Sequence, residues 1–107
     1  MRSHEWIDQR SLALDRAIAQ RLLADPSLLD RARNTLARWI GQRQPDPPLA
    51  LREWQDCLER LSFDEIIALI TSDDERARRL RQSSPFCGIL PPAERLAIFK
   101  QYESRRA

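Results

Sequence analysis

A chain of 107 residues, 32% charged and 42% hydrophobic, has the make-up of a globular domain rather than a disordered tail, and can bury roughly two-thirds of its unfolded surface. Its formal net charge is only +2, which removes any global electrostatic case for nucleic acid. The longest apolar run, residues 66–70, is too short for a signal core or a membrane span.

Cys57 and Cys87 stand far apart and make no metal or redox spacing, so both are expected reduced, in a cytoplasmic protein. Only two glycines occur, Gly41 and Gly88, and the seven prolines fall at three apparent boundaries. With few β-branched residues and much Ala, Leu, Arg and Glu, the chain reads as all-α. The expected architecture is one domain over residues 1–107, a bundle of five or six helices with short proline-marked turns.

In chain order, residues 4–24 form the first predicted helix, with Ser3 as its cap. Ile7, Leu14, Ile18 and Leu22 recur at seven- and four-residue spacings and are expected to face the core. Trp6, Ala13 and Ala17 make a second apolar line, and Leu12, Ala19 and Leu23 widen it. A face that broad implies burial by two neighbours, or by one neighbour and a second protein chain, a homo-oligomer among the options. Asp25-Pro26 restarts the chain: an acidic cap, then proline at the first helical position. The second helix runs to about residue 42, with Leu29, Ala32, Leu36, Trp39 and Ile40 on one face and Gly41 near its end. Residues 44–48, rich in proline, are a stiff extended connector.

Residues 49–61 form the third helix, with Leu51, Trp54, Cys57, Leu58 and Leu61 inward. Ser62 stands three residues before Glu65, the capping-box spacing, and Leu61 and Ile66 can staple that entry. The same spacing recurs at Ser72 and Glu75, which predicts a break near Thr71 and two short helices. Ser84-Pro85 stops the second of them, because proline disfavours the α region for its predecessor. Gly88 permits a positive φ. Pro92 opens a last helix to about residue 104 that buries Leu96, Phe99 and Tyr102, and residues 105–107 are expected to fray.

No catalytic constellation assembles from these residues. The single histidine, His4, lies near the chain start and reads as a solvated first-turn residue. Asp73, Asp74 and Glu75 complement a helix dipole before they suggest acid–base chemistry. There is no P-loop, dinucleotide fingerprint or zinc spacing, so neither cofactor nor metal is expected and the chain is read as a non-enzyme.

Two stretches remain as candidate contact surfaces. Arg76, Arg78, Arg79 and Arg81 sit on one short helix. Asp74–Arg78 and Glu75–Arg79 have the favourable i,i+4 order, which leaves Arg76 and Arg81 unpaired by that rule. A solvated helix face is the plain reading, and phosphate or nucleic-acid binding is the alternative. The loop Gln82-Ser83-Ser84-Pro85-Phe86-Cys87-Gly88 is the second. Phe86 is expected to plug the core; the other option is an exposed anchor for a partner. Arg95, at the start of the last helix, is expected to tie down loop carbonyls or an acidic side chain.

Arg79-Leu80-Arg81-Gln82-Ser83-Ser84-Pro85-Phe86, then Gly88 and Leu90, then Glu94-Arg95, resembles a motif in small bacterial proteins of toxin–antitoxin-like gene pairs. His4-Glu5-Trp6-Ile7 with Arg10-Ser11 is similar too. The resemblance implies an antitoxin-like role, a small helical protein that binds and restrains a partner protein, and it supplies no active-site residue. The expected partner-binding set is Arg76, Arg78, Arg79, Arg81, Gln82, Ser83, Ser84, Phe86 and Arg95, toward a protein partner, with no membrane contact.

Overall fold

The computed structural model describes the backbone of residues 2–105 and the side chains of residues 6–103. Six helices follow in order: α1 (Arg2–Ala24), α2 (Leu28–Gln42), α3 (Leu49–Arg60), α4 (Phe63–Thr71), α5 (Glu75–Arg81) and α6 (Pro92–Arg105). No strand occurs among the described residues, and the all-α expectation holds. The side chains of Ser3 and His4 and the structure of residues 106–107 lie outside the described residues. The backbone of α1 already includes Ser3.

The long first helix is the axis of the fold. Leu12, Ile18, Ala19 and Leu22 are buried along it, and it packs against α4 and α6, with a lesser contact to α2. The broad apolar face is therefore shared between neighbours in the same chain. Two of its expected members stay out: Ile7, near the start of the helix, is 41% exposed, and Leu23 is 53% exposed because it points about 100° round the helix from its buried neighbour Leu22.

Helices α2 and α3 form a second layer, packed through Leu29, Ala32 and Leu36 on one and Leu51, Trp54, Cys57 and Leu58 on the other. Arg33 Nη2 spans the pair and donates to the Leu58 carbonyl at 3.2 Å. Regular α2 geometry starts later than Asp25-Pro26 predicts. Asp25 Oδ1 accepts from the Ser27 amide and hydroxyl, closing a turn that spends residues 25–27 before the helix begins at Leu28. The connector also departs from a simple extended segment: it turns over residues 43–46 and extends only at Pro47-Pro48. Arg52 reaches back to Asp46 and holds that turn to α3.

The capping box at Ser62 forms as read. Glu65 N donates to Ser62 Oγ at 3.1 Å, and the Ser62 amide donates to Glu65 Oε1 at 2.8 Å. The break after Thr71 is there, but its second cap is not Ser72. Asp74 caps α5, accepting from the Ala77 amide at 2.8 Å, while Ser72 Oγ accepts from the Asp74 amide. An Asp at the cap is at least as good an acceptor as Ser, and two residues of extra chain let α5 turn away from α4.

Helix α5 ends at Arg81, three residues ahead of Ser84-Pro85, and Gly88 has no positive φ. The loop that follows is anchored by apolar residues rather than by an unusual backbone. Pro85, Phe86, Ile89 and Leu90 are all buried, with Phe86 fully enclosed. On α6, Phe99 and Tyr102 are half-buried as expected, but Leu96 is 54% exposed and Ile98 packs on the core in its place.

Candidate functional site

Helix α1, the end of α5, the loop 82–90 and the start of α6 enclose a cleft of about 300 Å³. Ser11, Leu14, Asp15 and Ile18 line it from α1, and Trp39 from α2. Arg81, Gln82, Ser83, Ser84, Cys87 and Leu90 line it from α5 and the loop, and Arg95 from α6. Five of the expected partner-binding residues, Arg81, Gln82, Ser83, Ser84 and Arg95, thus meet in one concavity.

The loop keeps its shape through short-range bonds. The Ser83 amide donates to the Leu80 carbonyl at 3.1 Å, and the Phe86 amide donates to Ser84 Oγ at 3.2 Å. Phe86 meets the Trp54 ring edge-on, with centroids 5.6 Å apart and planes at 67°. Trp54 Nε1 donates to the Leu80 carbonyl at 2.8 Å, which satisfies the indole inside the core and ties α3 to the last turn of α5. Phe86 is therefore the core plug and presents no anchor at the surface.

At the cleft floor lies a buried pair. Asp15 Oδ2 and Arg81 Nε are 3.4 Å apart, and the two side chains are 7% and 5% exposed. Arg81 Nη2 donates to the Ser72 carbonyl, which fixes the guanidinium against the α4–α5 junction. The pairing is incomplete. Among the described residues Arg81 Nη1 has no partner, and Asp15 Oδ2 and Arg81 Nε make no well-formed hydrogen bond. Burial pushes the Asp15 carboxyl up to about 7, against the pull of the Arg81 guanidinium. Charges removed from water are repaid by their attraction only when the geometry is good, so this pair is a cost to the fold.

The remaining arginines of α5 are spent on the surface. Arg78 Nε pairs with Asp73 at 3.1 Å, and Arg79 makes a two-pronged contact to Glu53 of α3, its Nη2 at 2.7 Å from Glu53 Oε2. The expected pairs Asp74–Arg78 and Glu75–Arg79 do not form. Asp74 is occupied as a cap, and Glu53 on the adjacent helix offers Arg79 a bidentate match that a neighbour on the same short helix cannot. Hydrogen bonds from the arginines hold the Glu53 and Asp73 carboxyls below the usual range. Arg76 reaches the Cys57 sulfur at 3.4 Å, where burial pushes the Cys57 thiol up. Arg76, Arg78 and Arg79 thus lie apart from the cleft.

Arg95 also behaves differently from its expected role. Its guanidinium sits 5.5 Å from the centre of the Phe99 ring, and it is Arg81 that holds a backbone carbonyl, that of Ser72 at the α4–α5 junction. The Arg10 guanidinium lies over both Trp6 and Phe99, at 5.0 and 4.6 Å, and joins α1 to α6 beside Arg95.

Asp15 is the residue that sequence reading missed. Its signal was present: Leu12, Asp15, Ile18, Ala19 and Leu22 share the i,i+3,i+4 register, so a carboxylate stood in a core stripe. Among the described residues, no group of three or more His, Cys, Asp or Glu side chains could hold a metal ion. No helix among them is long and apolar enough to cross a membrane. No family model, no curated protein and no solved structure matches this chain.

Proposed function

We propose that the protein is a non-catalytic interaction module, the antitoxin-like member of a bacterial gene pair, which binds and restrains a partner protein through the cleft between α1 and the loop 82–90. The observation that carries this reading is the convergence of Arg81, Gln82, Ser83, Ser84 and Arg95 on one concavity whose floor is a buried, incompletely bonded ion pair. Fold stability gives no reason to keep such a pair, since an apolar replacement is often neutral or stabilising. Binding gives a reason: fixed donors and hydroxyls set among Leu14, Ile18, Trp39 and Leu90 make a small amphipathic pocket.

Co-expression with the product of the neighbouring gene, followed by affinity capture, tests the reading. The expected result is a stoichiometric complex and relief of any growth arrest the neighbour causes. Absence of both a complex and any rescue would count against it. Nucleic-acid binding through α5 is the lesser reading, because Arg78 and Arg79 are already paired with Asp73 and Glu53. It requires duplex binding that weakens steeply with salt; a protein that leaves duplex unbound at low salt removes it.

A further inference from the structure

We infer that the cleft recognises the C-terminal residue of the partner chain, taking its carboxylate on Arg81 and Arg95 and its apolar side chain among Leu14, Ile18, Trp39 and Leu90. This inference rests on the interaction reading above and names the chemistry of what enters the site.

Charge supplies the first argument. The cleft holds two guanidinium groups and one carboxyl, Arg81 and Arg95 against Asp15, so its lining is net positive. A guanidinium keeps its proton under all ordinary conditions and favours carboxylate oxygens. Arg81 is immobilised by the Ser72 carbonyl, its Nη1 is buried without a partner, and its Nε holds Asp15 only loosely. A second carboxylate seated in the cleft over Arg81 would answer that fixed charge beneath it, with exposed Arg95 making the direct contact. With Asp15 pushed toward neutrality by burial, the incoming anion meets less repulsion than two full charges would give.

Size and lining supply the second. A volume of about 300 Å³ is at the small end of ligand pockets, suited to one residue rather than a stretch of peptide. Apolar and cationic walls stand together in that small space. A terminal residue matches both, because its side chain and its α-carboxylate share one Cα, and capture of chain-terminal carboxylates is a recurrent recognition mode. Ser11, Ser83 and Ser84 add hydroxyls at the rim.

The test titrates the 15N-labelled protein with N-acetyl-leucine and with N-acetyl-leucine amide, following backbone amide shifts. The expected result is saturable shifts confined to residues 11–18, the neighbourhood of Trp39 and residues 81–95, with the acid at least tenfold tighter than the amide. Arg95→Gln should weaken the acid at least fivefold without changing the fold, since Arg95 is exposed and makes no buried bond. Asp15→Asn, which removes the competing carboxylate, should tighten it. Equal binding of acid and amide, or shifts centred elsewhere, would overturn the inference. Hexapeptides distinguish the source of the carboxylate: one ending in Leu with a free carboxylate should bind, and its amidated form bearing an internal Glu should not. If the Glu peptide binds as well, terminal recognition is wrong. These probes need no partner, so their failure is separable from failure to find a complex.

Discussion

Phe86 and Asp15 are opposite kinds of buried residue. Phe86 has no exposed surface and rests on Trp54, so truncation leaves a cavity that the surrounding helices cannot close. Phe86→Ala is expected to cost about 3–5 kcal/mol, read as a lower urea midpoint. A variant as stable as wild type would mean that the ring does not plug the core. Asp15 is buried at a cost, and its titration reports it. In the unfolded chain an Asp titrates near 4, whereas in the fold Asp15 titrates at about 7. Between those values the folded state holds a proton that the unfolded chain has released. The contribution of this group is therefore full below about pH 4 and is lost as pH rises through about 7. The carboxyls of Glu53, Asp73 and Asp74 are lowered and act in the other direction, losing their contribution only as pH falls below the ordinary carboxylate range. Urea midpoints should fall between pH 5 and pH 8 in the wild type, and Asp15→Asn should flatten that slope. A midpoint that stays flat over the same interval would show that Asp15 is held ionised by Arg81.

At the scale of elements, helix ends were legible where local chemistry decides them. The Ser62–Glu65 box needs only four consecutive residues, and Ser62→Ala should cost about 1 kcal/mol by the loss of that cap. The second box was misplaced because Ser72 and Asp74 are both competent caps two residues apart, and only the packing of α5 chooses between them. Asp74→Ala is expected to destabilise the fold more than Ser72→Ala in parallel urea melts. The apolar stripes of α2 and α3 read correctly because their regular helical spacing already sets the buried residues on one face. Helix α6 misled at Leu96, since its seat is set by Arg10 between Trp6 and Phe99, a cation–ring contact between residues far apart in sequence. Phe99→Ala should loosen α6, seen as faster amide exchange over residues 96–102 with α2 and α3 unchanged.

Across the whole molecule, the candidate site depends on pairings that sequence spacing does not encode. The loop 82–90 and Arg95 stood out because turn residues and arginines are visible in a one-dimensional reading. Their junction with Asp15, sixty-six positions before Arg81, follows from α1 packing against α4 and α6. Sequence spacing set Arg76 and Arg81 apart from Arg78 and Arg79 but could not say where they go, and the fold decides it: Arg81 goes inward to Asp15, while Arg79 goes outward to Glu53. That division makes the cleft, and with it the proposed docking of a partner, the central claim. Cys87 offers a direct reporter, because it is an exposed thiol that lines the cleft while Cys57 is buried. The measurement is the alkylation rate of Cys87 in the free protein and in the complex co-purified with the neighbouring gene's product. The cleft reading predicts at least a tenfold slower reaction in the complex; an unchanged rate would mean that the partner docks elsewhere.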